Sequence, residues 1–504
     1  MWNKQALHDL IQGRLQDYRF LVVSNREPYQ HNFVDGHIEC KPPASGMVSA
    51  LEPIMRAGGG VWIAHGSGTA DRRTVDDQDH LAVPPKDQSY TLRRVWLTKE
   101  QENGYYNGFA NSGIWPLCSQ VFVRPEFNPR HWNTYRQVND LFAQAVEEEA
   151  GDEPALVFVQ DFHFGLLPHL LKQSNPNLIV AQFWHIPWPN PEVFQVLPWK
   201  EELLEGLLGN DLLGFHLRHH CRNFLDTVDR TIEARVDYER FEVTRGGKTT
   251  VVRPFPISID FEEHSETAAS SDVDIEVDRL RERHNLGDKV VGIGIDRIDY
   301  IKGIPERLRA INHFLEEYPE FRERLVFIQV GVPNRTHVRQ YQILDDEIDT
   351  LVEDLNWKWS TDTWQPIIYL KRRHSQVEMM ALHRLARFCM VTSLDDGMNL
   401  VAKEFVASRF DEDGALILSR FTGASRELTH AVLVNPFDLD EVAGAILHAL
   451  EMPEEERRRR MKKMRAVVAE NNVYRWAGKI LSTLLKLEPT ENAPALADLA
   501  LQLS

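Results

Sequence analysis

Cysteine is scarce. Cys40, Cys118, Cys221 and Cys389 are spread over 504 residues with no C-x-x-C spacing. That argues against a disulfide framework or a zinc ribbon and makes a reducing compartment the expectation. Long hydrophobic runs are missing as well: no stretch approaches the ~20 apolar residues of a membrane-spanning helix. The opening residues carry charges throughout, without an apolar core or a small-residue cleavage site, so no signal peptide is expected. There is no excess of positive charge. The 57 basic and 75 acidic side chains leave a net charge of −18, a surface that repels nucleic acid and anionic membrane. Any phosphate site must then be a local cationic cluster inside a cleft. Also lacking are G-x-S-x-G, a Walker loop and a dinucleotide G-x-G-x-x-G after the first strand. Acyl hydrolysis, nucleotide hydrolysis and nicotinamide chemistry lose ground accordingly.

What is present is an ordinary globular composition, 43% hydrophobic and 26% charged, with short apolar runs alternating with helical periodicity. That pattern predicts α/β structure, a parallel sheet covered by helices. Strands are expected at Phe20–Ser24, Ala155–Gln160 and Leu178–Trp184. After Ile259 the character changes, and a second series follows at Lys289–Ile295, Leu325–Val330, Ile367–Leu370, Phe388–Thr392 and Ala415–Ser419. The boundary falls near residue 256, giving domains 1–255 and 256–470, with a loose tail over 488–504. Glu454–Met461 reads as a solvated, charged helix. Two doubly wound units create one large cleft, and ligands of such sheets sit outside the carboxyl ends of the strands.

The residues just after the strands therefore carry most weight. Asp396-Gly397-Met398-Asn399-Leu400, followed by Lys403 and Glu404, reads as a tight turn into a helix start. Free amides there suit a phosphate; otherwise Asp396 is an N-cap, and Lys403 and Glu404 are surface charges. Arg297 and Lys302 stand on a glycine-containing loop, where they can hold a diphosphate leaving group. The alternative pairs Arg297 with Asp296 or Asp299 and leaves Lys302 solvated. His185 lies in Trp184-His-Ile-Pro-Trp-Pro-Asn-Pro191, a rigid aromatic loop suited to a sugar face, although a lone histidine is also commonly structural. Asp161 can accept sugar hydroxyls or cap a helix. The segment Tyr105–Pro116 has weak helical spacing and reads by default as packing; with Arg26 it can instead form an aromatic, cationic pocket. His216, His219, His220 and Cys221 are read as lying on one helix with no matching second ligand group, so no metal is expected.

Taken together, Asp299-Tyr-Ile-Lys-Gly-Ile-Pro-Glu-Arg307, Asp396-Gly-Met-Asn-Leu-Val-Ala-Lys-Glu404 and His185-Ile-Pro-Trp-Pro189 resemble the trehalose-6-phosphate synthases, retaining glycosyltransferases with two Rossmann-like domains (GT-B, family 20). The resemblance runs from about Phe20 to Leu487 and includes a helix over 471–487 that crosses back to the first domain. It implies glucosyl transfer from a nucleotide-glucose to glucose 6-phosphate in the cytoplasm, with no cofactor. UDP-glucose is the first expectation for the donor, with ADP- or GDP-glucose as alternatives; oligomeric assembly stays open. By resemblance, Gly46, Arg297, Lys302, Asp396, Gly397, Met398, Asn399, Leu400 and Glu404 bind the donor. Arg26, His65, Tyr106, Trp115, Asp161 and Arg335 bind the acceptor, and His185, Arg297, Lys302 and Asp161 are catalytic. His65 stands where a tryptophan is expected, and Ser45 replaces the first glycine of a Gly-Gly pair. In addition, Arg26-Glu-Pro-Tyr29 and the longer insert before Gly46 are similar to the glucosylglycerol-phosphate synthases and leave glycerol 3-phosphate as an alternative acceptor. A catalytically silent regulatory subunit should have lost donor residues, and none is missing.

Overall fold

A computed structural model describes residues 2–15, 17–41, 46–335 and 338–487; Ser45 and the tail over 488–504 lie outside them. Two sheets organise the chain. The N-terminal sheet runs, edge to edge, through Arg235–Asp237, Glu242–Arg245, Lys248–Pro254, Leu212–Phe215, Ile179–Phe183, Ala155–Gln160, Arg19–Arg26, Val61–His65, Tyr90–Val95 and His80–Val83. The seven strands from Lys248–Pro254 to Tyr90–Val95 are parallel, and the edges are closed by antiparallel partners. The C-terminal sheet is parallel throughout, in the order Ile367–Leu370, Leu325–Val332, Val290–Arg297, Phe388–Val391, Ala415–Ser419 and Val432–Val434. Helices cover both sheets, so the central strands are buried on both faces and carry near-continuous apolar runs. Leu21, Val22 and Val23 have no exposure, and all six residues of Ala155–Gln160 are buried.

Both sheets have a doubly wound order, with the first strand in the middle and later strands added on either side. The order reverses between Arg19–Arg26 and Ala155–Gln160 in one sheet, and between Val290–Arg297 and Phe388–Val391 in the other. Helices diverge at these points and leave a crevice at the carboxyl ends. The residues there are Arg26 and Asp161 in the first sheet, and Arg297, Lys302 and Asp396 in the second.

Arg307 braces the second crevice from below. It has no exposure and donates to Asp296 at 2.6 Å, Gln329 at 2.9 Å and Thr392 at 2.9 Å, tying three adjacent strands together. Removing one partner of such a buried group leaves an uncompensated charge. Arg307→Met is expected to lower the unfolding free energy by about 3–5 kcal/mol. Denaturant unfolding checks this, and a loss below about 1 kcal/mol, within the range of an ordinary surface change, would show that the network does not hold the sheet.

Several local expectations are corrected. The weak helical spacing around Tyr105 belongs to a wide π-helix over Glu102–Ile114, whose last amide bond runs from Trp115 back to Ala110. Its side chains do not follow a 3.6-residue period, which is why the pattern looks weak. Asp396 is not the cap of the helix Leu400–Ser408; Asn399 is, accepting from the Ala402 amide at 3.1 Å. Lys403 is no surface charge. It is buried against Glu427, at 2.6 Å, and the Ile257 carbonyl. His216 precedes the helix Arg218–Thr231, which carries His219, His220 and Cys221. Within the charged helix Glu454–Glu470, the i,i+4 pairs Glu454–Arg458 and Glu456–Arg460 are present, but Arg457 is buried against Asp413.

The last described helix, Val473–Leu484, runs back to the N-terminal sheet. Asn472 donates to the Trp2 carbonyl at 2.8 Å, and the Trp476 ring packs edge-on against Phe183 at 5.1 Å. No described helix is long and apolar enough to cross a membrane.

Candidate active site

The first crevice is built on strained and buried polar groups. Asp161 follows the strand Ala155–Gln160 at φ 71°, a left-handed conformation uncommon for a side-chain-bearing residue. That turn aims its carboxylate at the His185 amide, which donates to Oδ1 at 3.1 Å, while Gln182 holds the Asp161 carbonyl at 3.0 Å. Burial pushes the carboxyl up to about 7, against the pull of its amide donors and of Arg335 and Arg297. His185 Nε2 lies 2.9 Å from Gln160 Oε1, an arrangement that puts the hydrogen on Nε2. Burial and the neighbouring His163 pull the His185 imidazole down to about 3, so it is neutral near pH 7.

Beside it lies the aromatic and cationic wall. Arg26 donates to the Tyr106 hydroxyl at 3.3 Å, and Tyr106 stacks on His163 at 5.5 Å. From the other sheet's side, the Arg335 guanidinium sits 4.7 Å from the Trp115 ring centroid, paired with Asp299 and Tyr341. Burial pushes the Tyr106 phenol up, but Arg26, Arg335 and Arg297 outweigh it and draw it down to about 7. A phenol so affected sits in a strongly positive field.

In the second crevice, Asp299 turns to Arg335 and Tyr341 and Asp296 to Arg307, so neither pairs with Arg297. Arg297 makes no side-chain hydrogen bond or ion pair among the described residues, and burial, then Arg335, disfavours its charge. Lys302 is not solvated. Its ammonium lies 2.5 Å from Asp396, whose carboxylate also accepts from Asn399 at 3.1 Å and Ser393 at 3.3 Å. Burial opposes ionisation of Asp396, yet Lys302 and these donors hold it below the usual carboxylate range.

The loop 396–399 is strapped from behind, with Gly423 donating to Asp396 at 3.0 Å and Ala424 to Met398 at 2.8 Å. Its front approaches the first sheet's loop so closely that a Cβ on Gly397 would stand 2.7 Å from the His185 carbonyl oxygen. Only glycine fits there. Likewise, a Cβ on Gly46 would lie 3.0 Å from Leu400. Glu404, one turn into the helix, has no side-chain partner among the described residues, and burial raises its pKa.

A cavity of about 160 Å³ opens beside Arg26, His65 and Tyr106, lined also by Glu27, Ser67 and Arg373. His65 Nδ1 donates to the Val95 carbonyl at 3.1 Å, which leaves Nε2 as an acceptor, and burial favours the neutral ring. Glu27 accepts from Ser67 and lies 2.9 Å from the buried Arg94, which also pairs with Asp71. Burial, then Asp71, raises the Glu27 pKa, against the pull of Arg94 and the Ser67 amide. Glu27, Ser67 and Arg373 were not singled out as site residues; Glu27 is adjacent to Arg26, but no local pattern marks Arg373. A larger hollow of about 1000 Å³ beside the edge strand Ile367–Leu370 contains none of the candidate residues.

Two doubly wound domains, with unpaired or clustered cations at both switch points facing one cleft, define a GT-B glycosyltransferase acting on a nucleotide-sugar. The sequence profile described as Glycosyltransferase family 20 matches residues 18–486. The chain belongs to that family. It is 40% identical over 493 residues to the trehalose-6-phosphate synthase of Mycobacterium marinum (strain ATCC BAA-535 / M), covering 95% of this chain and 96% of that one. Among solved structures, an α,α-trehalose-phosphate synthase (UDP-forming) from Burkholderia xenovorans in complex with glucose-6-phosphate is similar at TM-score 0.84 and 29% identity, over 92% of this chain and 99% of that one. An E. coli structure bound with UDP-2-fluoro glucose is similar at TM-score 0.83 and 30% identity, over 94% of this chain and 100% of that one.

Proposed function

We propose that this enzyme moves glucose from UDP-glucose to glucose 6-phosphate and forms α,α-trehalose 6-phosphate with retention. The observation that carries this reading is the convergence of Arg26, Arg335, Arg297 and Lys302 on one cleft: two anionic groups are provided for, a diphosphate and a monophosphate. The ligands of the Burkholderia xenovorans and E. coli structures, glucose-6-phosphate and UDP-2-fluoro glucose, have that chemistry.

In the proposed assignment, Arg297, Lys302 and the amides at Asn399 and Leu400 hold the donor diphosphate. Gly46 allows close backbone approach to it. Asp396, Gly397 and Met398 hold the glucose, and Glu404 holds the ribose hydroxyls. Arg26, Tyr106, Trp115 and Arg335 hold the acceptor phosphate, and Asp161 and His65 the acceptor's hydroxyl-bearing end. We divide the chain at residue 255, with residues 1–255 serving the acceptor, 256–470 the donor, and 471–487 tying the second domain back to the first. Four free thiols and phosphorylated sugar substrates support a cytoplasmic location.

The reaction breaks the bond between the anomeric carbon and the diphosphate oxygen. Positive charge develops on the sugar ring and negative charge on the leaving phosphate. Cations already in place stabilise that state more than the ground state. The acceptor hydroxyl attacks on the face the phosphate leaves, and the phosphate takes its proton. Burial pulls His185 down to about 3, which makes it a weaker base than the leaving phosphate.

An acceptor screen tests the reading. Nucleoside diphosphate release is followed with UDP-, ADP- and GDP-glucose against glucose 6-phosphate and glycerol 3-phosphate. Release with UDP-glucose and glucose 6-phosphate is expected. Release confined to glycerol 3-phosphate would overturn the acceptor assignment and make His65 the first residue to exchange.

A further inference from the structure

His216 belongs to none of the roles above. It sits in the turn between the strand Leu212–Phe215 and the helix Arg218–Thr231 and is 3% exposed. Its Nε2 lies 3.0 Å from the His185 carbonyl oxygen. A carbonyl only accepts, so Nε2 carries the hydrogen and donates. Nδ1 then has no hydrogen, and no partner for it exists among the described residues. Burial, then His185, pulls the ring down to about 3, which keeps this neutral tautomer at working pH. The Phe183 ring packs edge-on against both His216, at 4.9 Å, and His185, at 4.7 Å, and fixes their relation.

The second wall of the cleft meets the same spot. A Cβ on Gly397 would stand 2.7 Å from the His185 carbonyl oxygen and 2.9 Å from His216 Cδ2. His216 therefore touches both the His185 loop of the N-terminal domain and the Asp396–Asn399 loop of the C-terminal domain. Its hydrogen bond fixes the direction of the His185 carbonyl, and its ring edge limits how far Gly397 can advance. A buried histidine kept only for packing would need neither contact.

We propose that His216 is a positioning residue: it sets the register in which the acceptor-side His185 loop and the donor loop at Gly397 close on each other. The role rests on the glucosyl transfer proposed above. It predicts that a side chain able to donate at the same reach keeps the register, and that one of similar volume without a donor loses it. Misplacement of the two walls then costs turnover and admits water to the donor.

The test uses full-length His216→Gln, His216→Asn and His216→Leu. It reads kcat and KM for transfer, the fraction of UDP-glucose hydrolysed, UDP affinity by calorimetry, and thermal midpoint. His216→Leu is expected to lose about 30- to 100-fold in kcat, the cost of a misplacement near 1 Å. Its hydrolysed fraction should rise, while UDP affinity and the acceptor KM stay within about twofold, since ground-state binding is untouched. His216→Gln should stay within about fivefold in kcat, whereas His216→Asn, one methylene shorter, should behave like the leucine variant. Where the leucine variant fails to fold, the glutamine–asparagine pair decides. Normal kcat in the leucine or asparagine variant overturns the role, as does equal damage in all three that tracks thermal midpoint. Whichever acceptor the wild type turns over is used, so an error in the acceptor does not hide the result. A wild type inert with every acceptor overturns the functional reading and this role with it; an active wild type with unimpaired variants overturns this role alone.

Discussion

Lys302→Ala should lower kcat by about 10²–10³-fold, or roughly 3–4 kcal/mol of barrier, the cost of removing one preplaced charge donor from a developing oxyanion. Thermal midpoint should fall at neutral pH, because the largely buried Asp396 carboxylate is left without its cation. The loss has two physical parts. A cation leaves the proposed diphosphate site, and Asp396 loses the ammonium 2.5 Å away that keeps it ionised. With only Ser393 and Asn399 left, burial dominates and the Asp396 pKa rises. The variant's residual activity should therefore fall away at a higher pH than that of the wild type as the solution is acidified. Steady-state diphosphate release across pH checks both parts. A kcat within about tenfold of wild type would sink the assignment of Lys302 to the leaving group.

Asp161→Asn should cut kcat/KM for the acceptor by about 10- to 100-fold, the cost of replacing a charged hydrogen-bond acceptor by a neutral one. The same change should stabilise the fold at alkaline pH. The folded-state pKa is raised from 3.8 to about 7 by burial, so the native state binds the proton more tightly than the unfolded chain. The stability this confers is present below the unfolded value and is lost as pH rises through about 7. About three pKa units correspond to roughly 4 kcal/mol. That is an upper limit, because the side chain retains 15% exposure and water screens part of the cost. Asparagine removes the buried charge, keeps an oxygen for the His185 amide and has nearly the shape of the aspartate it replaces in this turn. The thermal midpoint of Asp161→Asn should exceed that of wild type at pH 8 and match it near pH 4. In the wild type, acceptor use should decline as pH falls through about 7. Equal midpoints at pH 8 would show that Asp161 is not strained by its burial.

The two predictions share a cause. Each carboxylate is buried where a sugar is proposed to bind: Lys302, in the same crevice, holds Asp396 ionised, whereas at Asp161 burial outweighs Arg335 and Arg297 across the cleft. At Asp161, stability is traded for a charge held ready in a low-dielectric cleft.

Several of these features were legible along the chain. Apolar runs such as Leu21-Val-Val23 and Ala415-Leu-Ile-Leu418 could only be buried strands, and the alternation with helices implied parallel sheets. The loops after those strands were then the place to look, and Arg297, Lys302 and Asp396 all lie on them. Local chemistry worked where the partner is near in sequence: Asp299 and Gly303 end a strand and start a helix within a few residues.

It failed where the partner is distant or the winding unusual. Lys302 meets Asp396 across 94 positions, and Lys403 reaches Glu427 and Ile257 instead of water. The π-helix at Glu102–Ile114 has a side-chain period that no 3.6-residue template matches. By itself, then, the amino-acid sequence determined the two-sheet architecture and the loops that carry the chemistry, because periodicity and turn residues act over a few positions. Only the tertiary structure decided which charges pair, that Arg297 and Glu404 stay without partners among the described residues, that Arg373 lines the cavity beside Arg26 and His65, and that His216 lies between the two walls. Those outcomes depend on two switch points brought face to face, and no pattern along one strand or helix encodes the distance between them.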